Sequence, residues 1–201
     1  GPPAGGPLVA LSVHLPHTLV HWLLAGSAAA AVTFFAVGLT LYFERGPRPP
    51  WVLAVHYGSM VLAILQVAGV LLLTPRSDTF AAIGILMYLM SIALYLSAIE
   101  AAQRTRLQRS FVDHPLPDRL ITDGPYRWVR HPFGSGYLLG ALAAPMAIQD
   151  LRLYLVAMPL VAATVLAAAR EERLWLASPR GEEYRAYRRK TGMFIPFIGR
   201  E

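Results

Sequence analysis

RHPFGSGYLLGALAAPMAIQDLRLYLVAMPLVAATVLAAAREER, residues 130–173, decides how the rest of the chain is read. It consists of two apolar runs that meet at Gln149-Asp150, with charged residues gathered at the outer ends. The second run, 151–169, is close to the roughly 20 residues a helix needs to cross hydrocarbon. The first, 136–148, is shorter and contains Pro145, but it extends back through Phe133. Folded as a tight hairpin of membrane helices, the two runs return Arg130 and His131 to the same water interface as Arg170, Glu171 and Glu172. Pro132 suits the first turn of a helix, and the residue before a proline is biased away from helical backbone. Arg130 and His131 therefore stand at a helix N-terminus, where free amides and the helix dipole favour an anion. A ligand's carboxylate or phosphate and the phosphates of lipids satisfy that description equally.

Three further apolar segments precede the hairpin, at 17–43, 51–73 and 80–99. Of the 201 residues 55% are hydrophobic and 15% charged, whereas soluble domains carry about a quarter charged residues. Mean hydropathy is +0.45. The pattern is that of an all-α integral membrane protein with five transmembrane helices, the last two a tight hairpin, plus short interfacial and C-terminal helices. With the N-terminus outside, only Arg76 and Arg152 fall on the outer side, and every other Lys and Arg falls on the cytoplasmic side. Four spans would separate the basic clusters at 104–130 and 170–200. The net charge of +6 is thereby explained by topology and by contact with anionic lipid heads rather than by nucleic acid. The expected location is a bacterial or archaeal-type inner membrane, with the C-terminus cytoplasmic. Residues 1–16 read as a tail, its Gly1-Pro2 start resembling a protease scar, and 17–201 as one membrane domain. The chain has no cysteine, which excludes disulfides and thiolate metal sites, and no metal ligands are assigned.

The spans are nearly free of ionisable groups. Proton and ion pathways need such groups near the midplane, so a channel, pump or ion-coupled transporter is disfavoured. His56 reads as interfacial, and Gln66 as an interhelical hydrogen-bond donor. Gly136 and Gly140 form a GxxxG and Gly26 with Ala30 a looser small-residue pair, spacings that let helices approach closely. Residues 98–111, with Arg104, Arg106 and Arg109 among apolar neighbours, read as a helix leaving the bilayer and lying along it. Glu171 and Glu172 at the membrane edge need pairing or solvent. Tyr184 and Tyr187 share a face of a short basic helix. Phe194, Ile195, Phe197 and Ile198 would press the tail onto the bilayer or over the polar patches.

GPYRWVRHP at 124–132, EE at 171–172, GEEYRAY at 181–187 and IPF at 195–197 together resemble the isoprenylcysteine carboxyl methyltransferase family, which includes phospholipid N-methyltransferases. The resemblance covers roughly the last ninety residues. It implies methyl transfer from S-adenosylmethionine at the cytoplasmic face, with the cofactor region spanning 111–201 and the C-terminal segment folded over the cofactor. It also implies a cofactor pocket of Leu120, Ile121, Tyr126, His131, Pro132, Phe133, Gly134 and Glu172. Arg130, Arg170 and Glu171 are the candidates for orienting the acceptor. The lipophilic acceptor would arrive sideways from the bilayer, with membrane lipids as the only partners expected. Two positions depart from the family pattern. Gly134 stands where a Tyr is common, and Ala168 where the isoprenylcysteine enzymes carry an Arg for the substrate carboxylate. An amine, thiol or lipid hydroxyl acceptor remains open. The chain lacks a GxGxxG and room for a separate Rossmann domain. The competing readings are an NADPH-dependent membrane reductase of similar architecture and a non-catalytic lipid-binding membrane protein.

Overall fold

The computed structural model describes residues 17–41, 50–102 and 119–199. Most of the interfacial segment expected at 98–111, the 1–16 tail, the first part of the 111–201 region, and Arg45, Arg48, Arg104, Arg106 and Arg109 lie outside the described residues. The described residues form six α-helices: α1 His17–Leu41, α2 Pro50–Leu72, α3 Asp78–Ala102, α4 Pro132–Ile148, α5 Leu151–Ala177 and α6 Gly181–Arg188. A single 3-10 turn, Gly124–Arg127, precedes α4. Helices α1, α2, α3 and α5 are long and apolar enough to cross a membrane. At 17 residues α4 is shorter, about 26 Å at 1.5 Å per residue.

Helix α4 is the centre of the bundle. It packs most extensively on α3, then on α5, with α2 and α1 completing its surroundings. It can sit there because its buried positions are small: Ser135, Gly136, Gly140, Ala141, Ala143, Ala144 and Ala147. The GxxxG packs inside this molecule. A Cβ at Gly136 would lie 3.2 Å from the Ser91 carbonyl oxygen, and one at Gly140 would lie 3.1 Å from both Phe35 and the Ser91 hydroxyl. Ser91 Oγ donates to Gly136 O at 2.7 Å, which ties α3 to the same turn. Gln66 Nε2 donates to Ala141 O at 2.9 Å, joining α2 to α4 as expected. Gly26 behaves differently: nothing lies within 4 Å of its Cβ position. The small face of α1 is instead Ala25, Ala28 and Ala31, which enter the core with Leu24, Tyr88 and Ala144.

This contrast sets a packing prediction. On α3, a Cβ at Gly84 would lie 2.5 Å from Ala147 Cβ and 3.0 Å from Ala143 O. Gly84→Val should therefore lower stability by about 1–3 kcal/mol, and Gly26→Val should leave it nearly unchanged. Thermal unfolding of the two purified variants in one detergent makes the comparison.

The hairpin closes where the sequence places it. Gln149 takes a left-handed conformation (φ 57°) and donates its N–H to Pro145 O. Asp150 caps α5 by accepting from Arg152 N at 2.8 Å, and the Arg152 guanidinium grips the same carboxylate through Nε and Nη2. These hydrogen bonds hold the Asp150 carboxyl down at about 2. At the other end, the 27 residues of α5 extend about 40 Å against roughly 30 Å of hydrocarbon. Its last two turns, from Arg170, stand clear of the apolar span.

Candidate functional site

The two polar patches meet around one carboxylate. On α5, Ala168, Glu172 and Trp175 recur at helical spacing and are all buried, so Glu172 points inward while Arg173 and Leu174 face out. Glu172 Oε1 accepts from Arg130 Nε at 2.7 Å and lies 3.2 Å from His131 Nε2. Its other oxygen is 3.5 Å from Arg188 Nε on α6. Burial alone would raise this carboxyl, but the hydrogen bonds from His131 and Arg130 hold it down to about 2. It is an anion framed by three basic side chains, only 7% exposed.

Arg130 does more than pair with Glu172. Its Nη1 donates to Arg188 O at 3.3 Å and Thr191 O at 2.5 Å, and its Nη2 to Gly199 O at 3.1 Å. Four of the five guanidinium N–H groups are thus engaged. The expected acceptor-orienting residue is, in this geometry, a tie between α5 and the C-terminal segment.

The backbone repeats the tie. Val129 and Gly192 form an isolated parallel bridge. Gly192 N donates to Trp128 O at 3.0 Å, Arg130 N to Gly192 O at 2.8 Å, and His131 N to Met193 O at 3.1 Å. Residues 191–199 thereby become a strap along the stretch that leads into α4. Gly192 has no alternative here, because a Cβ would overlap the Ile195 carbonyl oxygen and lie 2.8 Å from that of Ile198. Phe194 turns inward: its ring lies 5.8 Å from that of His131, its carbonyl accepts from Ser135 Oγ at 2.7 Å, and its edge occupies the space a side chain at Gly134 would need.

A second wall comes from α6. Tyr184 and Tyr187 share the buried face as expected, and with Trp175 they form a cluster that takes in Leu120. Trp175 and Tyr184 stack with centroids 5.7 Å apart. Tyr187 donates its hydroxyl to Tyr126 O at 2.6 Å, fastening α6 to the turn before α4. Burial raises the Tyr126, Tyr184 and Tyr187 phenols above their ordinary value, with the Glu171 charge adding to it, so all three are neutral hydrogen-bonding groups at pH 7. On the bilayer side, Phe133 packs edge-on against Tyr95 at 5.2 Å. Tyr95 in turn meets Phe35 and Tyr137, giving an aromatic floor without charge beneath His131.

The candidates therefore divide. His131, Pro132, Phe133, Gly134, Tyr126, Leu120, Arg130 and Glu172 come together around the α4 N-terminus. Glu171 is at the rim, its side chain 36% exposed and Oε2 3.9 Å from His131 Nδ1. Ile121 is half-buried beside Leu120, and Arg170 is half-buried on a neighbouring face of α5. Arg188, Thr191, Gly192 and Ser135 were not among the candidates. Arg188 follows Tyr184 by four residues, so it shares the inward face of α6, and that spacing was available as a signal. Nothing in the local sequence marks Gly192.

The model of the phospholipid methyltransferase family matches residues 79–179, half of the chain, and that stretch carries α3, the α4–α5 hairpin and Glu172. The chain belongs to this family. It is an all-helical membrane protein of the phospholipid methyltransferase group. A 72-residue stretch is also 33% identical to methanethiol S-methyltransferase of Mycobacterium tuberculosis. That stretch is 36% of this chain and 28% of the relative's length, so the chain's match spans under a third of that protein.

Proposed function

We propose that the protein transfers a methyl group from S-adenosylmethionine to a lipophilic acceptor at the cytoplasmic surface of its membrane. The observation that carries this reading is the carboxylate–imidazole pair of Glu172 and His131, buried at the helix N-terminus of a family built for methyl transfer. In this reading α4 is a fifth, shorter span, the N-terminus is outside, and the membrane is a bacterial or archaeal inner membrane. Membrane lipids are the only partners required.

The residues at the α4 N-terminus suit such a cofactor. A sulfonium and an ammonium group call for anions, and Glu171 and Glu172 stand side by side with Glu171 reaching the rim. An amino-acid carboxylate calls for His131 and Arg188. When bound, S-adenosylmethionine supplies the activated methyl group. Glu172 holds His131 and Arg188 in place, Arg130 fixes the strap over them, and Phe194 and the Trp175–Tyr184 stack exclude water. The aromatic floor of Tyr95, Phe133 and Tyr137 offers an acceptor an apolar, uncharged approach. Ala168, buried one turn below Glu172, offers an acceptor no counter-charge, which favours a neutral one. A lipophilic thiol comes first, because the matched relative is a thiol methyltransferase; an amine or hydroxyl follows. Glu171, at the rim, is the nearest carboxylate to accept the acceptor's proton.

S-adenosylhomocysteine at a hundred times its dissociation constant should stabilise the purified protein by about 2.7 kcal/mol. For a chain this size that is a rise of roughly 5–10 °C in melting temperature, with NADPH giving none. Stabilisation by NADPH alone would replace this reading with the reductase. Stabilisation by neither would favour the non-catalytic lipid-binding protein. Incubation with labelled S-adenosylmethionine and long-chain thiol, amine and alcohol then ranks the acceptors.

A further inference from the structure

The outer surface of the strap has no role in the site just described. Phe194 turns in, but Ile195, Phe197 and Ile198 turn out and are 57%, 66% and 63% exposed. Large apolar side chains so exposed on a short segment mark an interaction surface. The strap's depth identifies it. Gly192 and Met193 pair with Arg130 and His131, the last residues before α4. Phe194 reaches further, packing on Gly134 and bonding Ser135 within the first turn of α4. The three outward side chains are thus held where α4 passes from water into hydrocarbon. Arg127, Arg189 and Lys190 are exposed on the segments at either side, a charge that suits lipid phosphates. Trp128, 56% exposed on the paired stretch, is a residue type favoured at that interface.

We propose that Ile195, Phe197 and Ile198 insert into the cytoplasmic leaflet of the protein's own membrane, and that this docking keeps the strap closed over Glu172 and His131. The occupant is the phospholipid leaflet rather than a second copy or a soluble protein. The coupling to the site is short: the same nine residues carry the Thr191 and Gly199 carbonyls held by Arg130 and the Phe194 ring on His131. The closing half of the proposal rests on the cofactor reading above; the docking half rests only on α4 being a span.

The chain has no cysteine, so a single label can be placed without background. Ile198→Cys, labelled with an environment-sensitive fluorophore, is compared with Glu183→Cys on the exposed side of α6, both in nanodiscs containing brominated phosphatidylcholine and phosphatidylglycerol. The label at 198 should be quenched at least three-fold more than the one at 183. Equal quenching overturns the docking, as does a signal that follows protein concentration rather than bromolipid. The Ile195→Asp/Ile198→Asp variant in the same nanodiscs should bind S-adenosylhomocysteine at least ten-fold more weakly than the parent. Unchanged affinity overturns the closing role. A parent that binds no S-adenosylhomocysteine overturns the cofactor reading and with it the closing role, while quenching still decides the docking.

Discussion

Replacing Glu172 with Gln is expected to cost about 3–5 kcal/mol of stability and to abolish methyl transfer. The side chain keeps its size, but the buried Arg130 and Arg188 lose their counter-charge, and breaking a buried ion pair from one side has that magnitude. His131 loses an acceptor in the same step. The neighbouring Glu171→Gln is the control: its carboxylate is 36% exposed, and an ion pair so open to water is worth at most about 1 kcal/mol. Melting temperatures of the two variants in one detergent should differ sharply, and similar losses would place the anchoring charge elsewhere. Acid should imitate the first variant. Because the folded Glu172 carboxyl is held at about 2, below its ordinary value, its stabilising contribution is complete above about pH 4.5 and is lost as pH falls toward 2. The Gln variant should therefore lose less stability than the parent across that interval, keeping only the loss that other lowered carboxyls such as Asp150 contribute.

Gly192→Ala should open the site without unfolding the bundle. The added Cβ meets backbone oxygens of Ile195 and Ile198, and backbone cannot rotate aside as a side chain does. The strap must leave its pairing with residues 128–131, and methyl transfer should fall at least a hundred-fold (about 2.7 kcal/mol or more of lost transition-state stabilisation). Helix content by circular dichroism should hold, and limited proteolysis should cut within residues 189–199 far faster than in the parent. Gly199→Ala makes the comparison. Gly199 has positive φ, 77°, and its Cβ position has only ordinary contact with Met193 at 3.6 Å. Its cost is conformational, about 1–2 kcal/mol, and the strap should stay closed. Equal effects at the two glycines would show that the close approach at Gly192 is not what holds the strap.

The elements that the sequence makes plain are those whose physics is local. Apolar length marks α1, α2 and α3 within a few residues but only the start of α5, which continues to Ala177, eight residues past the apolar run; Gln149-Asp150 announces the hairpin because a left-handed residue and a capping aspartate are short-range signals. A carboxylate at a membrane edge requires a partner, which marks Glu171 and Glu172 alike; only the family resemblance sets Glu172 in the pocket. What could not be read is which cation answers it. Arg130 and Arg170 look alike as sequence. Only tertiary geometry sets Arg130 inward, where its guanidinium joins Glu172 to carbonyls from residues 188, 191 and 199. The pairing of 128–131 with 191–193 is equally silent, being a backbone interaction between segments about sixty residues apart. Gly134 shows the same limit from the other side. In sequence it is an absence; in space it is filled by Phe194, which belongs to a different segment.

The parallel pairing also dictates an order of assembly. Helices α4 and α5 can pair as a hairpin as soon as they emerge, and Arg130 can then reach Glu172. Arg188 and residues 191–199 are synthesised afterwards, and until they arrive no wall closes over His131. The bundle is complete while the pocket is still unmade. The pocket is thus the last part of the structure to form, closed only after the α4–α5 hairpin is in place.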